Sequence, residues 1–374
     1  MLHSVFTSRS SDSNLLPGSF RLPDPLPWTA LSGPLAAAED GLARLDECLA
    51  RSPIRAGWIA RSHLSDSAAS LWLDGELVRL EDLVLHDARM DVRAPSHELT
   101  RAHAVLRARR RIAAAKPGWG LSTGGLDGLR GKGGEAATAS PDGKGASVPD
   151  RIETPEGEIW QAETWEEELA AIDAVVARSE RLLRAEPPSR EEPEGDGEEE
   201  RLARWRVRLA ETDALPPLLA AAYAGQAWEA IAPLRRTAWL GRLMVPAVLQ
   251  ARGKTLAHLA CLNSGLRSLP RASREGGASA QTWLEAMAGA ATQGLKDHDR
   301  WLAAREGLER KLAGRRSTSK LPALIDFVLA TPLASAGMIA RALGVTPRAA
   351  QDLVAELGLR EVTGRGRYRA WGFF

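Results

Sequence analysis

Arg348 and Gln351 stand one helical turn apart at the start of a short amphipathic segment, and Arg365, Arg367 and Arg369 alternate along a later stretch. A guanidinium and a carboxamide so spaced can read donor and acceptor pairs on base edges. Alternating guanidinium groups on an extended strand suit phosphate oxygens or a minor groove. Thr346, just before Pro347, sits where a hydroxyl caps a helix, and it completes this candidate set. From Arg315 onward nine Lys or Arg face four acids, an excess of five positive charges in a chain whose net charge is +1. A local excess of this kind is what neutralisation of nucleic-acid phosphates requires.

Other chemistry fares less well. His63, His86, His97 and His103 share one stretch with Asp87, Asp91 and Glu98, but no two of them have the i, i+4 spacing of a two-histidine ligand set. They read as satisfied buried or surface histidines, and no metal site is expected. The pairs Gly131-Lys132 and Gly143-Lys144 lack the first glycine of a phosphate loop, with Leu126 and Thr138 in its place, and Gly133 follows the first lysine. The two cysteines, Cys48 and Cys261, have no CxxC partner, which fits a reducing compartment. No cofactor is predicted.

A chain of 374 residues should hold two or three domains. No apolar run reaches the roughly 18 to 20 residues that cross a bilayer. The N-terminal stretch lacks a basic region followed by an apolar one. These readings predict a soluble cytoplasmic protein with no membrane partner. Residues 1–33, rich in Ser and Pro, read as a flexible arm tied down by Trp28. Residues 34–115 read as a helical region, with helices over 34–50 (Leu35, Ala38, Leu42, Leu45 and Leu49 inward), 58–73 and 80–87. A fourth, capped by Ser96, reaches Ala114 with Leu99, His103 and Leu106 inward. Its Arg101, Arg107, Arg109, Arg110 and Arg111 read as a solvated face. Residues 116–158 form a Gly-rich linker.

Residues 159–314 hold the main helical core. A capping box of Thr164 and Glu167 opens a helix over 164–185. Residues 186–200 then carry eight acids against Arg190 alone, a run predicted to be disordered, its alternative being a mimic of nucleic acid that masks a basic surface. A short helix over 201–210 precedes the densest apolar stretch, 215–250, and further helices run from Thr255 to Ala313. In 215–250, Pro216 and Pro217 open one helix, Pro233 stops it, and a second begins near Trp239 with Pro246 inside it. Small and apolar residues on every side imply a helix pair buried in a larger bundle.

Residues 315–374 close the chain. Helices are predicted over 321–329 and 335–343, with a turn at Gly344. A third is capped by Thr346 and ended by Gly358, with Ala350, Leu353, Val354 and Leu357 inward. A hairpin follows, 359–363 and 367–371, around Gly364-Arg365-Gly366. Three helices and a two-stranded wing resemble a winged helix-turn-helix, which implies double-stranded DNA as partner and two-fold binding as a homodimer. Such modules also serve as protein-docking units.

Trp228-Glu229-Ala230-Ile231-Ala232-Pro233-Leu234 and Leu240-Gly241-Arg242-Leu243 resemble the two halves of the core motif of the Fic family, enzymes that transfer a nucleotide monophosphate to protein hydroxyls. The resemblance places Ala232 where those enzymes carry the catalytic His, Arg235 or Arg236 at the metal carboxylate, and Thr237-Ala238-Trp239 at the Gly-Asn-Gly anion turn. An alanine cannot accept a hydroxyl proton. Ser70-Leu71-Trp72-Leu73-Asp74-Gly75 is similar to the family's regulatory motif, with Asp74 in place of its Glu and Arg242 its implied partner. The resemblance thus implies a mainly α protein, a Fic-like bundle followed by a winged helix-turn-helix, of a bacterial family known as a domain of unknown function plus a DNA-binding module. It implies no catalytic residue and no enzyme, but a transcriptional regulator responding to an unidentified effector. Residual nucleotide (AMP) transfer is the alternative.

Overall fold

The computed structural model describes residues 20–89, 94–131, 196–312, 320–362 and 369–372. The chain divides into a unit made of residues 1–133 and 198–374 and a second of residues 134–197, and the described residues belong almost wholly to the first. The expectations for residues 1–19, for the linker beyond Gly131, for the helix over 164–185, for acids 186–195 and for Arg315, Arg316, Arg365 and Arg367 lie outside the described residues.

The bundle is built around α7 (Pro217–Ile231) and α8 (Leu240–Ala251). Pro217 opens α7 where a missing N–H costs nothing, and Leu218 to Gly225 are buried on every side. A Cβ on Gly225 would lie 2.7 Å from Val245 Cγ2 and 2.7 Å from Trp283, so α7 crosses its neighbours at glycine distance. Ala232 ends α7 in the left-handed region, φ 46° and ψ 59°, its N–H donating to the Trp228 carbonyl. α8 runs through Pro246, whose neighbours from Leu243 to Leu249 are all buried.

Around this pair lie α1 (Trp28–Arg51), α2 (Arg55–Leu73), α3 (Leu80–Asp87), α4 (His97–Ala114), α5 (Thr123–Leu129), α6 (Asp196–Glu211), α9 (Leu262–Ser268) and α10 (Ala280–Arg310). The long α10 lies along α1 and against α7 and α9, while α2 packs on α4 and α9. A Cβ on Gly265 in α9 would overlap the Ala286 carbonyl of α10. Gly265→Ala should therefore push these helices apart and cost about 1–3 kcal/mol, read as a lower urea midpoint at unchanged slope.

Four expectations are corrected here. Helix α1 begins at Trp28 rather than Pro34, because Leu31 is buried in the core, and Trp28 stays half exposed instead of anchoring an arm. Residues 119–129 are not linker: a single 3-10 turn leads into α5, which buries Gly125 and Leu126. Residues 196–200 are the opening of α6, where the carboxylates of Glu198, Glu199 and Glu200 favour the helix dipole. Arg130 holds two of them, Glu198 at 3.1 Å and Glu199 at 2.7 Å. Lastly, α4 does not present a solvated arginine face, since Arg109 is fully buried and Arg101 and Arg110 are paired.

Helices α11 (Leu321–Ala330), α12 (Ala336–Leu343) and α13 (Pro347–Leu357) complete the chain with three short strands, β1 (Leu333–Ser335), β2 (Arg360–Glu361) and β3 (Ala370–Gly372). The sheet order is β1-β3-β2, all antiparallel, with Ala334 opposite Trp371 and Glu361 opposite Trp371. The predicted two-stranded wing is thus one strand short. β1, between α11 and α12, joins the hairpin strand β3.

Candidate nucleic-acid interface

The turn between α12 and α13 is set by local chemistry. Ser335 Oγ accepts from Met338 N–H at the start of α12, and Gly344 takes φ 65° at its end. Thr346 Oγ1 then accepts from Ala349 N–H, and Gly358, φ 69°, closes α13. Ala350, Val354 and Leu357 face inward onto α11 and α12, joined by Leu324, Ile325, Ile339 and Trp371. The opposite face carries Arg348, Gln351, Asp352 and Ala355, all exposed. Arg348 has 83% of its side chain exposed and lies 3.8 Å from Asp352, a loose pair that a phosphate or base can replace. Arg369 donates to Glu361 at 2.7 Å across the sheet and covers the Trp371 ring at 5.5 Å. A carboxylate therefore already answers part of its charge. The structure thus brings Thr346, Arg348 and Gln351 to one exposed helix end and sets Arg369 apart on the sheet.

The module is docked on the bundle. Buried Arg61 of α2 donates to the Leu329 carbonyl at 2.6 Å and the Val328 carbonyl at 2.8 Å, the last turn of α11. A Cβ on Gly57 would meet Leu329 O at 2.9 Å, so the backbones of α2 and of the end of α11 approach at glycine distance. Lys311 donates to Leu357 O at 3.0 Å and Arg305 pairs with Asp326 at 2.8 Å. α2 is therefore both a strut of the bundle and the seat of the module.

The far end of α2 meets α8. Arg242 Nη2 lies 2.8 Å from Asp74 Oδ1 and donates to the Ser70 carbonyl (3.1 Å) and hydroxyl (2.9 Å), while its Nε donates to Asn263 Oδ1 at 2.9 Å. Both charged side chains are largely covered. Gly75, φ 84°, turns the chain away immediately after Asp74. The chain of contacts continues inward. Asn263 donates to Asp66 at 2.8 Å, as does the Ser264 N–H, and Arg109 lies 2.5 Å from Asp66 with neither side chain exposed. Arg109 also donates to the Ala260 and Leu259 carbonyls. At its outer end, Arg101 pairs with Asp74 and Glu76. Glu229 accepts from the Ala278 N–H just before α10, outside this chain of bonds, and Ala232 and Pro233 sit at the α7 terminus. Among the described residues no group of three His, Cys, Asp or Glu is placed to hold a metal ion.

Two groups beside this network titrate abnormally. Burial, aided by the charges of Arg109 and Arg110, lowers the His63 pKa to about 3, and its Nδ1 is a buried atom without a hydrogen-bond partner among the described residues. Burial raises the Asp87 pKa, but hydrogen bonds from His103 and Arg110 and their charges outweigh it and hold the carboxyl at about 2. Since His63 is neutral when folded and takes a proton near 6.5 when unfolded, the unfolded chain binds more protons between those values. Stability should fall as pH drops from 6.5, by about 2 kcal/mol at pH 5. His63→Leu should flatten that limb, measured as the change in urea midpoint between pH 7 and pH 5. An unchanged slope would assign the acid loss to other groups.

Residues 192–313 match a family model described as a protein of unknown function, DUF1612, and residues 321–374 match one described as an HTH DNA binding domain. Over 373 residues the chain is 46% identical to Uncharacterized protein y4cF of Sinorhizobium fredii (strain NBRC 101917 / NGR234), covering 92% of this chain and 97% of the relative. The chain belongs to the y4cF family. The helix-turn-helix match spans α11 to β3, and the other match spans all of α6 to α10. None of these descriptions names the Fic family. Among the described residues, no helix is long and apolar enough to cross a membrane. Sequence reasoning missed Asp66, Arg109 and Asn263, which hold the network together, and Arg61, which seats the module. The one signal in the sequence was that charged residues recur on otherwise apolar helices, and that pattern also describes a solvated face.

Proposed function

We propose that this chain is a DNA-binding transcriptional regulator, acting as a homodimer in the cytoplasm, whose bundle is a Fic-like scaffold that has lost nucleotide transfer. The observation that carries the DNA reading is the helix-turn-helix match at 321–374, together with an α13 whose outer face displays Arg348 and Gln351 to solvent. The α13 N-terminus, where the Thr346 cap sits, is where base edges are read in such modules. Arg365 and Arg367 complete the basic set in sequence and would serve phosphates. Fluorescence anisotropy of the full chain on genomic fragments selected by footprinting tests the proposal. Affinity should fall steeply with added salt, as counterion release requires. Absence of binding even at low salt would leave the module a protein-docking unit.

Support for a Fic-like bundle comes from the Arg242, Asp74 and Ser70 contact, which joins the two segments that resemble that family's core and regulatory motifs. Ala232 offers no base, so transfer is lost in this reading. Labelled ATP with magnesium should leave the chain and its partners unlabelled. Label that disappears in an Arg242→Ala variant would restore the enzyme reading.

A further inference from the structure

A cleft of about 500 Å³ opens between α2, α9 and α10, on a different side of α2 from the Arg242 contact. A volume of that order suits a small metabolite. Its rim holds two cations, Arg267 and Lys296, neither of which has a carboxylate within ion-pair distance among the described residues. The one carboxylate lining it, Asp297, lies 3.7 Å from Arg300. An anionic group is therefore favoured at the rim.

Four of the five hydroxyls lining the cleft are directed by their own helices. Ser62 donates to Ile59 O at 2.8 Å, Ser65 to Ser62 O at 3.3 Å, Ser268 to Gly265 O at 2.6 Å and Thr292 to Ala288 O at 2.9 Å. With their protons committed to backbone carbonyls, these four present lone pairs, while Ser264 Oγ and the Gln293 amide keep protons to give, so most of the wall asks for a ligand rich in O–H donors. Trp58, Ala290 and Trp301 add apolar surface to the lining. An anion with many hydroxyls satisfies the wall and the rim together.

The cleft also touches the seat of the DNA module. Ser62 and Trp301 line it, and the Arg61 guanidinium lies over the Trp301 ring at 5.3 Å while donating to the last carbonyls of α11. A ligand that moves Trp301 or the α2–α10 spacing acts one layer from that joint. We infer that this cleft is the effector site of the chain, that its ligand is a small sugar acid or sugar phosphate, and that occupancy changes DNA binding through Arg61. The last step rests on the DNA-binding function proposed above.

The test uses the full chain with glucose 6-phosphate and gluconate as probes, and inorganic phosphate and glucose as controls. Saturable binding by calorimetry, with a rise in Tm, is expected for at least one sugar anion and for neither control. The two sugar anions separate phosphate from carboxylate. A Lys296→Met/Arg267→Met chain, whose two changes lie on the surface, should keep its unliganded Tm within about 2 °C and weaken binding at least about tenfold. Equal binding of inorganic phosphate, unchanged affinity in the variant, or no saturable heat with either sugar anion overturns the site. On a footprinted fragment, saturating probe should shift affinity at least about threefold in the parent chain, and an Arg61→Lys chain should bind probe but lose that shift. Probe binding with unchanged DNA affinity overturns the coupling, whereas probe binding by a chain that binds no DNA at all refutes the DNA function and leaves the ligand site standing.

Discussion

An Arg109→Met chain should lose about 3–5 kcal/mol of folding stability, the largest effect expected of any single change in the bundle. Arg109 and Asp66 are both fully buried, 2.5 Å apart, and Asp66 also accepts from Asn263 and from the Ser264 N–H. Removing the guanidinium leaves a carboxylate in the core with two neutral donors and no counter-charge. It also strips the Leu259 and Ala260 carbonyls of a donor. Adding Asp66→Asn to the same chain should recover part of the loss, because the amide discards the stranded charge and keeps one of the two acceptor oxygens that Asn263 and the Ser264 N–H use. Urea titrations of the three variants measure both steps. If the double variant is no more stable than Arg109→Met, the cost lies in the carbonyls and packing around Arg109 and not in the uncompensated carboxylate.

The second large effect concerns DNA. Arg348→Ala and Gln351→Ala should each weaken binding to a selected site by about 1–3 kcal/mol if they read bases. Binding to unrelated DNA should change little, and the dependence on salt should keep its slope. A phosphate role for Arg348 would instead weaken all sequences alike and lower the slope by about 1. Both residues are exposed and make no core contact, so the Tm should stay near that of the parent chain. Asp352 sharpens the comparison, since it lies 3.8 Å from Arg348 on the same face. Removing its charge in Asp352→Asn should raise affinity for unrelated DNA, because the carboxylate repels phosphates. Anisotropy titrations with selected and scrambled duplexes at several salt concentrations separate these outcomes.

The C-terminal module was legible because its signals are local. Caps act over three residues, so Thr346, Pro347 and Gly358 set the bounds of α13, as Ser335 and Gly344 set those of α12. Ser96 did the same for α4, and Pro217 and Pro233 bracketed α7. Strand β1 carries no such signal. Its three residues pair with β3 more than thirty positions later, and only the closed sheet defines it.

By itself the sequence determined a mainly helical chain, the order of its helices apart from α5, the apolar pair at its centre and the capped turn before α13. It also brought Asp74 and Arg242 together in expectation, through a resemblance and not through any spacing. Only the tertiary structure decided which charges are buried. Arg109 and Asp66 lie 43 residues apart, and periodicity places each on a helix without saying which face meets the core. The same limit hid Arg61, whose partners are carbonyls 267 and 268 positions away, and Arg130, which holds Glu198 and Glu199 in a helix where their mutual repulsion predicted disorder. A charge in a core is tolerable only where distant partners converge on it, and such convergence belongs to the fold.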